Sequence, residues 1–115
     1  MRATRTDLAV TAEMPGFESR QTQWGEFNVA IEAIAAGLDA TELFASLPGG
    51  HCSCPHWGYV VTGRVRIKYP DHEEVISAGD AYYLPPGHIP VVEQDTLIVE
   101  FSPLGEYEKT MSALA

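Results

Sequence analysis

The sequence predicts an all-β domain, and three patterns carry that prediction. Glycine- and proline-rich turns recur roughly every eight to twelve residues through the second half of the chain, the spacing of an antiparallel sandwich or barrel. Residues 64–69 and 96–101 alternate as a strand does when its two faces differ. Between residue 39 and the tail, nothing has the periodicity of a long amphipathic helix.

Taken in order, the first two dozen residues carry no assigning pattern, apart from residues 8–10, which suit an edge strand. Residues 27–34 are rich in β-forming side chains and end at Ala36-Gly37-Leu38-Asp39. Residues 39–47 read either as a strand or as a short helical turn capped by Asp39, and Leu47-Pro48-Gly49-Gly50 closes them. Tyr59-Val60-Val61 runs into Thr62-Gly63, read as a tight turn, and then into the strand 64–69. Turns follow at Pro70-Asp71-His72-Glu73 and Ala78-Gly79-Asp80. The strand 81–84 stops at Pro85-Pro86-Gly87, and Pro90-Val91-Val92 opens the next. In 96–101, Leu97, Val99 and Phe101 share one face. Tyr107, Met111 and Leu114 fall at helical spacing, so residues 104–115 are expected to form a short helix packed on the outside.

A chain of 115 residues fits one domain, 1–115, with one core. Its formal charge of −9 argues against nucleic acid, which needs a basic partner, and against anionic membranes. Arg64, Arg66 and Lys68 do form a basic stripe, but they alternate with Val65, Ile67 and Tyr69 and read as the outward face of a strand. No apolar run approaches the ~18 residues of a membrane helix, and the first residues lack the apolar stretch of a leader. A cytoplasmic location is the expectation.

The chemistry concentrates in Cys52-Ser53-Cys54-Pro55-His56-Trp57-Gly58-Tyr59. The two cysteines are too close in sequence for an unstrained disulfide that closes a useful loop. In an extended segment Cys52, Cys54 and His56 share a face, although Pro55 interrupts the run. His88, held between Pro85-Pro86-Gly87 and Pro90, is the expected fourth member. His51 has the wrong parity relative to Cys52, and His72 lies in a turn that suits a solvated ring. Singly, each cysteine also reads as a small buried hydrophobe and each histidine as a satisfied core residue. Together Cys52, Cys54, His56 and His88 form a candidate metal set, and thiolate with imidazole suits zinc first, with iron or nickel as alternatives.

Gly79-Asp80-Ala81-Tyr82-Tyr83-Leu84-Pro85-Pro86-Gly87 resembles the second motif of the cupins, a glycine followed after five residues by proline, one residue and glycine. Tyr59-Val60-Val61-Thr62-Gly63-Arg64-Val65 resembles the end of the first cupin motif. The resemblance spans residues 50–101 and implies a small single-domain cupin of the RmlC-like superfamily. Its fold would be a double-stranded β-helix, a jelly-roll barrel with an open mouth. Metal-binding cupins use three histidines and a glutamate, and this sequence departs at every such position. His56 stands where the glutamate belongs, Cys52 and Gly50 where the first two histidines belong, and Pro90 where the third belongs. The chain is more similar to a subgroup of small cupins with a Cys-x-Cys-Pro-His-Trp-Gly-Tyr signature.

The resemblance implies a divalent metal in the barrel mouth and a homodimer paired through sheet edges. The functions left open are a metal-dependent enzyme acting on a small molecule, a non-catalytic sensor or ligand-binding barrel, and a purely structural zinc. Tyr59, Tyr82 and Tyr83 are the candidate substrate-binding residues, with at least one of the adjacent Tyr82–Tyr83 pair expected to face away. Trp57, next to His56, is expected on the opposite face. No residue is assigned a catalytic role.

Overall fold

The computed structural model describes residues 1–114. Its strands are β1 (Val10–Met14), β2 (Phe17–Trp24), β3 (Phe27–Ile34), β4 (His56–Lys68), β5 (Glu73–Ser77), β6 (Ala81–Leu84) and β7 (Ile89–Pro103), followed by helix α1 (Leu104–Leu114). All pairings are antiparallel, in the order β1-β2-β3-β7-β4-β5, with β6 also paired to β4. This is the all-β barrel expected from the turn spacing, in the jelly-roll form that the resemblance implies.

β3 matches the expected strand 27–34, and with β1 and β2, which no clear sequence pattern assigned, it forms a meander. β2 and β3 pair without interruption from Phe17↔Ile34 to Trp24↔Phe27. Gly25 takes the positive φ, 60°, that a two-residue hairpin needs at its first turn position. The edge strand starts at Val10, later than the expected residues 8–10, while Leu8 is buried. Residues 39–47 follow the helical alternative only in part: a 3-10 turn spans Leu43–Ser46 with Glu42, not Asp39, at its N-cap, while Asp39 makes an isolated bridge to Val91 and its carboxylate accepts hydrogen bonds from the Thr41 amide and hydroxyl.

One expected break is absent: Thr62-Gly63 is not a turn, because β4 continues through it. β7 runs unbroken from Pro90-Val91-Val92 through 96–101. The two long strands pair along their lengths, and the register shifts between Val60 and Val65. Those irregularities bend the ribbon, so that one end of β4 pairs with β6 and the other with β5. Gly63 is required at the bend. It has φ 97°, and a Cβ there would collide with the Thr96 side chain and the Asp95 carbonyl.

The inward parity sets the core. Val60, Val65, Ile67, Ile76, Tyr82, Leu84, Val92 and Ile98 form one buried cluster. On β7 the inward residues are Thr96, Ile98, Glu100 and Ser102, whereas Leu97, Val99 and Phe101 face outward. Helix α1 does not pack on the outside as expected. Tyr107, Thr110, Met111 and Leu114 line the barrel cavity, and Tyr107 Oη lies 2.6 Å from Gln21 Nε2. The helix therefore lies over the mouth, because its apolar stripe has an open chamber to cover.

Candidate metal centre

Backbone pairing brings the two sequence clusters together. An isolated bridge joins Cys52 to His88: the Cys52 amide donates to the His88 carbonyl at 3.0 Å, and the Gly87 amide donates to the Cys52 carbonyl at 2.8 Å. His56 begins β4, opposite Leu84 at the end of β6. One ligand atom from each of Cys52, His56 and His88 falls within 4.8 Å of the others, and all three residues are buried.

The rings are aimed by their other nitrogens. His88 Nδ1 donates to the Pro85 carbonyl at 2.8 Å, since a carbonyl can only accept, and the neutral ring then has its lone pair on Nε2. His56 Nδ1 is 2.7 Å from Ser102 Oγ, and its Nε2 lies 3.7 Å from Cys52 Sγ. Burial lowers the pKa of His56 to about 4. Burial, helped by the neighbouring His56, does the same for His88. Both rings are thus neutral at pH 7, the state that ligates a metal. Burial pushes the Cys52 thiol up to about 11, so a metal taken up here must displace its proton. This donor set fits a borderline-soft ion such as zinc.

Cys54 lies outside that group. It is fully buried, burial pushes its thiol up to about 12, and its Sγ sits 3.5 Å from the Pro55 carbonyl. Cys52, Cys54 and His56 alternate in burial as the sequence reading expects, and Cys54 lines the same cavity, but it is not among the three residues whose ligand atoms converge. His51 also stays outside the group, and exposed His72 pairs with Asp71 and stacks on Tyr69.

Of the three tyrosines, only Tyr82 faces the chamber, and its hydroxyl donates to Glu100 Oε1 at 2.8 Å. Tyr59 and Tyr83 are corrected: both stand outside the barrel, roughly half exposed. Tyr59 precedes inward Val60, and Tyr83 sits between inward Tyr82 and Leu84. Trp57 is outside as expected, stacked on Tyr83.

Sequence reasoning missed Glu32 and Glu100. Both line the same cavity, of about 220 Å³, whose other walls are mostly apolar. Glu32 accepts from Ser19 Oγ at 2.8 Å, and Glu100 Oε2 lies 3.6 Å from His56 Nδ1. Burial raises both carboxyl groups well above the ordinary carboxylate range, and for Glu32 the charge of Glu100 adds to the effect. With His56 neutral, its contact with Glu100 is a polar neighbour rather than an ion pair. The available signal was a lone acid inside each apolar strand, Val29-Ala30-Ile31-Glu32-Ala33-Ile34 and Leu97-Ile98-Val99-Glu100-Phe101.

Solved structures share this architecture at low identity. An RmlC-like cupin from Shewanella frigidimarina NCIMB 400 aligns with a TM-score of 0.61 at 18 % identity, over 88 % of each chain. The polyketide cyclase RemF from Streptomyces resistomycificus gives 0.64 at 19 % identity, over 90 % of this chain and 79 % of that one. KdgF from Halomonas sp. gives 0.57 at 19 % identity, over 87 % and 90 %. These likenesses define the class of fold, the cupin jelly roll. No family model matches the chain, and no curated protein matches it by sequence. No helix among the described residues is long and apolar enough to cross a membrane.

Proposed function

We propose that this protein is a metal-dependent cupin acting on a small, mostly apolar molecule inside the barrel. Cys52, His56 and His88 would hold the ion, zinc first and iron or nickel next. The observation that carries this reading is the convergence of three buried ligand atoms on one wall of a mostly apolar cavity. Three protein ligands leave a coordination position open, as in catalytic zinc sites, whereas a structural zinc is closed by four. Cys54, the fourth ligand such a closed site would need, is outside the group. The reading treats the Cys-x-Cys-Pro-His-Trp-Gly-Tyr stretch as one unit in which Cys54 packs and Cys52 ligates. Two free thiols suit a reducing compartment such as the cytoplasm.

A bound ion of this kind acts as a Lewis acid and lowers the pKa of a water or substrate oxygen. The chain's own groups surround that position. Ser102 and Glu100 orient the His56 ring, and Pro85 fixes the His88 ring. The Tyr82 hydroxyl and Glu100 form a hydrogen-bonded pair able to pass a proton to or from a bound molecule. Phe17, Phe44 and helix α1 exclude water and supply the apolar wall. The same fold serves as an enzyme scaffold in the polyketide cyclase RemF.

Metal analysis of protein purified without an affinity tag tests the reading. About one ion per chain is expected, with a thiolate-to-metal charge-transfer band when cobalt replaces it. Metal-free protein whose melting temperature does not rise with zinc, iron, nickel or manganese would overturn it.

A further inference from the structure

Glu32 is a carboxyl group that the metal centre leaves unused. The inward residues of β3 and β7 stand in rows, Asn28 with Ser102, Ala30 with Glu100 and Glu32 with Ile98. His56 meets the first two rows, through Ser102 and Glu100, and Glu32 stands in the third. Glu32 and Glu100 are thus diagonal neighbours, with backbones roughly 7 Å apart. Glu32 lines the cavity, and Ser19 Oγ donates to its Oε2 at 2.8 Å. Its Oε1 has no partner among the described residues and is not sealed off from the cavity.

No basic group answers this carboxyl. Ser19 and Gln21 approach from β2, Glu100 from β7, Tyr82 from β6 and Tyr107 from α1, all neutral or acidic. None of the residues lining the cavity is a lysine or an arginine. An ion held by Cys52, His56 and His88 would bring positive charge beside Glu100, and Glu32 would still stand a row away. Burial, with the charge of Glu100 added to it, raises the Glu32 carboxyl far above the ordinary carboxylate range. A cation entering the cavity would restore the charged form and gain a charge-assisted hydrogen bond.

We infer, on the reading that the cavity is the ligand site, that Glu32 selects a compact apolar molecule carrying a protonated amine, its ammonium set against Glu32 Oε1. The alternatives fit less well. A carboxylate or phosphate group at this end of the cavity would meet two acids, with no lysine or arginine to offset them. A hard metal ion needs roughly six oxygen ligands, which mostly apolar walls do not supply. A neutral alcohol would gain a hydrogen bond but leave the acid without a counter-charge. The volume of about 220 Å³ sets the size, below that of pockets for drug-sized ligands. Phe17, Phe44 and Met111 would enclose the apolar body, and the net charge of −9 draws cations to the chain.

Calorimetry on the metal-free full chain tests this without depending on the ion. The probes are phenylethylamine, phenylethanol and phenylpropionate, which share one apolar body and differ in charge. At about pH 7 the amine should bind roughly 30-fold or more tightly than the alcohol, and the carboxylate should not bind. Glu32→Gln should erase most of that preference while changing alcohol affinity less than about 3-fold. An amine that fails to bind at ~10 mM, or binds no tighter than the alcohol, overturns the inference. So does a preference that survives in Glu32→Gln. If that variant does not fold, the carboxyl resonance of wild-type Glu32 in isotope-edited NMR decides. It should move on adding the amine and not the alcohol, and a resonance that moves with both, or with neither, overturns the inference. A chain that takes up zinc but no amine keeps the metal centre and loses this ligand.

Discussion

His56 Nδ1 lies 2.7 Å from Ser102 Oγ, which ties the first residue of β4 to the far end of β7. That bond leaves His56 Nε2 directed at Cys52, so the serine acts on the metal centre without belonging to it. Ser102→Ala should weaken metal affinity 10- to 100-fold, the usual effect of losing a partner behind a ligand, at roughly unchanged stoichiometry. Competition with a chromophoric chelator measures it, and an unchanged affinity would show that His56 is not a ligand.

The two cysteines should behave differently. Cys52→Ala is expected to cost more metal affinity than Ser102→Ala, because it removes a donor atom. Cys54→Ala should keep the ion and cost only about 1 kcal/mol of stability, for a small void in a packed site. Metal content and urea unfolding of both variants separate these outcomes, and equal metal loss would place Cys54 among the ligands.

Metal-free protein should lose the Glu32 contribution to its stability as pH rises from 4.5 to about 8. The Glu32 carboxyl has its pKa raised from 4.5 to about 8, so the folded state holds that proton more tightly than the unfolded chain does. This stabilisation is complete below 4.5 and is lost as pH rises through about 8. The slope approaches ~1.4 kcal/mol per pH unit between the two values. His56 and His88 act oppositely. Their lowered pKa values place a separate loss on the acid side, as pH falls through 6.5 towards about 4. Between pH 6.5 and about 8, above the histidine window, the fall of melting temperature with pH should flatten in Glu32→Gln, and an unchanged slope would reject the assignment.

Gly58→Ala should destabilise the barrel by about 1–3 kcal/mol. An added Cβ would strike the Tyr82 hydroxyl and the Val99 carbonyl, and the carbonyl belongs to the paired strand β7, which has little freedom to retreat. Chemical denaturation checks it, and a loss below about 0.5 kcal/mol would mean that the strands can separate locally.

Much of the fold was legible, because turn chemistry is local. Pro85-Pro86-Gly87 ended β6, and alternation marked 64–69 and 96–101. The break assigned at Thr62-Gly63 misread a bulge as a turn. Local sequence cannot distinguish them when a glycine is required by the approach of Thr96 and Asp95 from the paired strand. In the site, the approach of Cys52, His56 and His88 was legible from their spacing, while Cys54 shares their parity and cavity without joining the group of converging ligand atoms. Glu32 and Glu100 escaped because the more apolar parity of β7 faces outward, against the usual expectation for a sheet with one core.

Cys52 and His88 also bracket the whole of β4, β5 and β6. An ion gripping both would close a loop on the order of 36 residues in the unfolded chain as well as the folded one. By chain-entropy arguments, such a closure removes roughly 4 kcal/mol of conformational freedom from the denatured ensemble. The centre would then be a removable cross-link, and chelation would lower the barrel's stability through the denatured ensemble, without touching the packing of β4, β5 and β6.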